Sequence, residues 1–225
     1  MSTAESLREL YKILLGSLGP QGWWPAPTAL EVMVGAVLTQ NTAWKNVTKA
    51  LDNLRAAGCL REAGACLNLS PGALAELIRP SGYYNQKEKR LRALLELVNR
   101  EYGGDPAYMA SRSTGTLREE LLALKGIGPE TADSILCYAL GHPVFVVDAY
   151  TFRILARHGM AEAPTSYDEL QSLFSDNLPP DNQLFNEFHA LLVRLGHEYC
   201  KKSKPRCAVC PARDWVQPPD LEEEF

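Results

Sequence analysis

Three groups of residues in this chain have the types and the spacing for chemistry. The first is the run Lys125-Gly126-Ile127-Gly128-Pro129, which lies between two helical patterns. Two glycines permit a tight turn with positive φ and a bare backbone. Pro129 can open the next helix, whose first N–H groups are free to hold an anion. Ile127 would pin the turn between its helices. This arrangement suits a phosphate held without any reading of base sequence, with Lys125 facing it, and it also suits an ordinary turn between two helices. The second group is Val146-Val147-Asp148, twenty residues beyond Gly128 and just ahead of another helical pattern. Asp148 is a good N-cap. A capped carboxylate is also rigidly held, so it can stabilise a developing positive charge or orient a water.

The third group is Cys200, Cys207 and Cys210, spaced C-x6-C-x2-C. Cys59, Cys66 and Cys137 sit in apolar or helical surroundings and read as small buried hydrophobes. Thiolates at such spacing can ligate a metal. With His197 they would make a Cys3His zinc site, and a metal-free loop is the plainer alternative. Lys201, Lys202, Lys204 and Arg206 lie between the cysteines and form a local basic patch. Trp23, Trp24 and Trp44 could line a pocket for a flat cationic ligand or simply fill a core.

These groups must be positioned by helices. Thr28 with Glu31, and Thr116 with Glu119, have the capping-box spacing. Residues 28–38 are nearly all apolar and read as a buried helix. Residues 41–57 place Val47, Ala50, Leu51 and Leu54 on one face, with Gly58 as a stop. Ser70-Pro71 is a cap followed by proline at the first helical position. Residues 87–102 put Leu91, Leu94, Leu95 and Val98 on one stripe before Gly103-Gly104. Helical patterns return over 149–158, 166–174 and 183–195. Residues 144–147 are strand-like but have no evident pairing partner, so an extended connector is expected. The fold class is all-α.

Of the 225 residues, 46% are hydrophobic and 22% charged, as in an ordinary globular protein. The net charge of −4 weighs against nucleic-acid binding by the surface as a whole, although a local patch can suffice. No apolar run approaches the roughly 18 residues of a membrane span, so no membrane role is expected. Residues 1–11 show no signal-peptide pattern. A cytoplasmic place, in the cytosol or nucleoid of a prokaryote, is the default expectation, and six cysteines there argue against a disulfide framework. The acidic tail, 218–225, is expected to be disordered.

The run 124–140 followed by 146–148 resembles the helix-hairpin-helix and aspartate signature of the endonuclease III superfamily of DNA glycosylases. Residues 38–42, with Gln40, resemble the family's segment that fills the gap left by a flipped base. Residues 82–87, with Tyr83, resemble its second wedge loop, and the cysteine cluster resembles its iron–sulfur loop. Within the superfamily, residues 23–25, 38–42 and 81–90 look closest to the 3-methyladenine DNA glycosylase branch. The resemblance implies two helical domains, a barrel over 28–140 and a second domain from 1–27 and 141–217, with a cleft between them. It implies a monomer acting on double-stranded DNA that contains a damaged base, with Asp148 catalytic and at least one of Trp23, Trp24 and Trp44 lining the base pocket.

Bifunctional members carry a lysine two residues after the hairpin's last glycine, and here that residue is Glu130. A glutamate cannot form a Schiff base. It would sit in the base pocket or merely complement the helix dipole. The implied activity is hydrolysis of an N-glycosidic bond, of an N-alkylated purine above all, with little or no lyase step. Glycosylases for oxidised or mismatched bases, and a silent DNA-binding protein, are the alternatives. The family's four-iron, four-sulfur cluster would lack its fourth cysteine, which is replaced by Val216.

Overall fold

The computed structural model describes residues 1–216, and the tail expected to be disordered lies outside them. Among the described residues there is no strand. The helices are α1 (Thr3–Leu18), α2 (Ala29–Thr39), α3 (Trp44–Ala56), α4 (Ala63–Leu67), α5 (Pro71–Leu77), α6 (Tyr84–Tyr102), α7 (Pro106–Ala110), α8 (Thr114–Leu122), α9 (Pro129–Ser134), α10 (Ala149–Arg157), α11 (Tyr167–Ser175) and α12 (Asn182–Glu198). No described helix is long and apolar enough to cross a membrane. The chain divides into two compact units, Trp24–His142 and Met1–Trp23 with Pro143–Phe225.

Capping chemistry sets the helix starts. Ser70 caps α5 with Pro71 in its first turn, and Ser166 forms a full capping box with Glu169. Two of the expected boxes are corrected. Thr28 does accept from Glu31 N, but the Glu31 carboxylate goes to Arg55 Nη2 at 2.7 Å, because α2 is buried and its charge needs a partner. Ser113, not Thr116, caps α8; its hydroxyl stands at the turn itself and accepts from Thr116 N.

In the unit Trp24–His142, α2 is buried from Leu30 to Leu38 and packs against α3, α6 and α9. The α8–α9 hairpin is locked by Asp133, wholly buried, which accepts from Arg118 Nε at 2.8 Å and from Nη2 at 3.3 Å. Ile127 is 5% exposed and pins the turn as expected. The two hairpin glycines differ. Gly126 has φ +89°, and a Cβ there would stand 2.4 Å from Arg90 Nε. Gly128 has φ −97° and ψ 177°, ordinary extended backbone, so of the two glycines Gly126 carries the turn's positive φ. A Cβ on Gly128 would meet nothing within 4 Å.

In the other unit, Val144 to Val147 form a buried extended connector and not a strand. Phe145 stacks on Phe174 at 3.8 Å and meets Phe185 and Phe188 edge-on. Its carbonyl accepts from Gln171 Nε2 at 2.7 Å. This grip fixes where Asp148 emerges at the start of α10. Gly196 on α12 lets Tyr150 approach, since a Cβ there would lie 2.4 Å from the Tyr150 ring. Trp215 is buried and donates to Ser6 O at 2.8 Å, tying the end of the described chain to α1.

The two glycines therefore predict opposite outcomes. Gly126→Ala should cost about 1–2 kcal/mol of stability, from the left-handed backbone and the Arg90 contact. Gly128→Ala should change it by less than about 0.5 kcal/mol. Denaturant midpoints of the two variants measure this, and an equal loss at both positions would contradict the assignment.

Candidate active site and metal centre

Asp148 has φ −144° and ψ −174° and caps α10; its Oδ1 accepts from Thr151 N at 2.8 Å and Thr151 Oγ1 at 2.9 Å. Its Oδ2 lies 3.7 Å from His189 Nε2, beyond a hydrogen bond but within electrostatic reach. Burial pushes the Asp148 carboxyl up, yet His189 and the Thr151 hydrogen bonds outweigh it and hold the group below the usual carboxylate range. Asp148 is therefore an oriented anion at neutral pH. His189, unnoticed in the sequence, is buried on the same face of α12 as Phe185 and Phe188.

Among the tryptophans, Trp24 and Trp44 meet edge-to-face at 5.2 Å. Trp24 also lies 5.6 Å from the Tyr138 ring. Gly35 sits beneath Trp24, whose Cζ2 would be 3.0 Å from a Cβ there. Tyr138 is carried by a single π-helical turn, Ile135–Ala139. Such turns redirect side chains and recur at functional sites, but helical periodicity gives no sign of one. Trp23 is half-buried and falls in the other unit. Glu130 is exposed in the first turn of α9, where the helix dipole favours a carboxylate. These ring contacts join Trp24, Trp44 and Tyr138.

Lys125 and Gly128 are exposed on the hairpin. Gln40 braces this hairpin: its Nε2 donates to Gly126 O at 3.1 Å and Thr131 Oγ1 at 2.9 Å, and its Oε1 accepts from Arg90 Nη1 at 2.6 Å. Next to it, Asn41 is exposed with φ +52°. Tyr83 is 68% exposed with φ +47°. Between the two loops the Lys87 ammonium is buried and donates at 2.7 Å to Leu38 O, Thr42 Oγ1 and Ser81 O. Burial, with Arg90 nearby, pushes its pKa down to about 8. One signal in the sequence could have revealed it, because Lys87 falls on the buried stripe of α6 with Leu91, Leu94 and Leu95.

Cys200, Cys207 and Cys210 line one small cavity of about 10 Å³, together with Arg157, His158 and Arg213. His197 is exposed and is not among its walls, which corrects the expected Cys3His set; it sits on the solvent side of α12. Arg157 Nη1 reaches Cys200 Sγ at 3.2 Å. Among the described residues no three His, Cys, Asp or Glu side chains converge to hold one metal ion. Soft thiols are ligands for zinc and for iron–sulfur clusters alike, and guanidinium groups in the cavity wall would favour an anionic occupant. Burial pushes the Cys210 thiol up to about 11 and raises Cys207 as well, so ligation would have to displace their protons. The basic loop is also held by protein alone: Arg153 Nε donates to Cys200 O at 2.7 Å, and Arg157 donates to Lys201 O at 2.9 Å and Lys202 O at 3.2 Å.

Known proteins share this architecture. A Methanocaldococcus jannaschii protein assigned as a DNA repair glycosylase is 45% identical over 212 residues, covering 94% of this chain and 96% of the relative. Endonuclease III of Thermotoga maritima is 31% identical over 180 residues, 80% of this chain and 78% of that one. The crystal structure of the H. pylori 3-methyladenine DNA glycosylase bound to 1,N6-ethenoadenine superposes with a TM-score of 0.72 at 34% identity. That match covers 87% of this chain and 97% of the other. Residues 34–180 match the HhH-GPD superfamily of base excision DNA repair proteins, and with these relatives the match shows that the chain belongs to that family and is a base-excision-repair DNA glycosylase.

Proposed function

We propose that this glycosylase removes N-alkylated purines by hydrolysis, without cutting the strand. The observation that carries the reading is the ring cluster of Trp24, Trp44 and Tyr138. Electron-rich rings attract a flat cation by stacking and cation–π contact, about 0.5–2 kcal/mol for a good one. An N-alkylated purine is such a cation once flipped out of the stack. The 34% identity to the H. pylori 3-methyladenine enzyme supports the same class of base.

The chemistry follows from charge. The bond between the sugar carbon and the purine nitrogen breaks with its electron pair going to the base. A cationic base leaves neutral, so it needs no strong acid. The positive charge that develops on the sugar is stabilised by the Asp148 carboxylate, which also orients the attacking water and receives its proton. Glu130 offers no amine at the family's lysine position, so the sugar is not captured as a Schiff base. The hairpin grips a phosphate of double-stranded DNA through the open backbone around Gly128, and Lys125 and the basic cysteine loop add charge. Cys200, Cys207 and Cys210 would hold an iron–sulfur centre, a cross-link that would stiffen the loop which Arg153 and Arg157 already hold.

Asp148 can be tested with its cap kept or removed. Asp148→Asn retains a good N-cap, so it should fold and bind DNA but lose about a hundredfold or more in excision rate. Asp148→Ala should lose the same activity and about 1 kcal/mol of stability besides. Equal activity loss and unfolding in both variants would reduce Asp148 to a cap. A panel of duplexes with single lesions should show release of N-alkylated purines ahead of oxidised or mismatched bases, with strand breaks only after alkali. Efficient borohydride trapping of a protein–DNA adduct would overturn hydrolysis as the mechanism.

Anaerobically purified protein should be brown and contain iron and sulfide. Colourless protein carrying stoichiometric zinc would replace the cluster with a single ion. Folded, active protein without metal would leave the loop to its two arginines.

A further inference from the structure

We infer that Lys87 is a positioning residue that mounts two loop tips, Asn41 and Tyr83, as one rigid two-pronged probe of the DNA duplex. The inference rests on the reading that these loops meet the duplex and not on which base is removed. Three observations carry it. Lys87 is 1% exposed, and its ammonium directs hydrogen bonds of 2.7 Å to Leu38 O, Thr42 Oγ1 and Ser81 O. An ammonium has three donors, so none remains unused. Leu38 and Thr42 flank the first tip, and Ser81 precedes the second. Thr42 Oγ1 also donates to Ser81 O, closing the link between the loops.

The second observation is the backbone at the tips. Asn41 and Tyr83 both have left-handed φ, at +52° and +47°, although neither is glycine. Such conformations persist where the surroundings over-determine them, and they cluster at functional sites. Here the residues that flank the two tips, Leu38, Thr42 and Ser81, are the ones Lys87 holds. The third is exposure: Asn41 is exposed and Tyr83 presents 68% of its surface to solvent. A large aromatic ring held outward on a strained backbone costs stability and adds nothing to the core.

A buried ammonium is also a costly way to fill space on the stripe shared with Leu91 and Leu95, where an apolar side chain would pack. Its gain is positional. Extruding a base means unstacking it from its neighbours, and a probe that gives way cannot transmit that push. Gln40, braced on Gly126 and Thr131, joins the first loop to the hairpin.

The test replaces Lys87 with Met, which keeps the length and removes the donors, and sets it in a double-mutant cycle with Tyr83→Ala. Amide hydrogen exchange without DNA should quicken by about tenfold or more at 39–43 and 81–84 and little elsewhere. Affinity for undamaged duplex should hold within about twofold, while excision from a lesion duplex falls by about tenfold or more. A lesion in single-stranded DNA should be spared, since it needs no extrusion. Combined with Tyr83→Ala the losses should be less than multiplicative, because Lys87 acts through that tip. Should Lys87→Met fail to fold, Thr42→Val cuts the same link and should show the same pattern more weakly. Exchange that quickens throughout the unit, losses that multiply, or equal losses on single and double strands would overturn the role. A wild-type enzyme that excises other lesions would defeat the alkylpurine reading alone, leaving the cycle to be run on those lesions. One that excises none leaves the exchange pattern and extrusion of a 2-aminopurine reporter to decide.

Discussion

Short helices end in carbonyls that no helical N–H can reach, and this fold has many such ends. Long cationic side chains meet them. Lys87 serves Leu38 and Ser81, Arg92 serves Leu67 and Leu69, Arg153 and Arg157 serve residues 200–202, and Arg194 serves Leu18. Each bond satisfies a backbone acceptor at or just beyond a helix end. The same bonds hold loops without sheet or disulfide, which suits a protein whose working parts lie between helices.

This constraint also reconciles the charge balance with a DNA substrate. Several cations are spent on the interior, and the chain is acidic in total. What faces outward in the cysteine loop is a small concentrated group, Lys201, Lys202 and Lys204, exposed because Arg153 and Arg157 grip the main chain from within. Net charge is thus a poor guide to such a protein, because internal and external cations count equally in a sum and differently in a field.

Much of the fold was legible in the sequence. Apolar periodicity located α2, α6 and α12, and the lack of a partner for 144–147 correctly argued against a strand. The cap residues were harder. Both Thr28–Glu31 and Thr116–Glu119 have the right spacing, but burial diverts Glu31 to Arg55 and an earlier serine takes the start of α8. The hairpin glycines show the same limit, since composition alone does not say which of two glycines carries the positive φ. Among the candidate functional residues, Asp148, Trp24 and Trp44 stand out by type and place. Tyr138 depends on a π turn, and Lys87 and His189 on burial, none of which a single sequence displays directly.

The arrangement also bears on which bases such a site can release. Asp148 is held as an anion by Thr151 and His189, so in the proposed chemistry it would favour a positive sugar and would not donate a proton to a leaving base. An acid for that purpose would need a raised pKa. The ring cluster offers a phenol, and Glu130 is exposed on α9. A neutral base would therefore have to leave as an anion, whereas an alkylated cationic base brings its own activation. In the proposed chemistry, selectivity would follow from what the enzyme lacks as much as from what it binds: the rings would favour the cation, and the carboxylate would complete only the bond cleavage that the cation has already made easy.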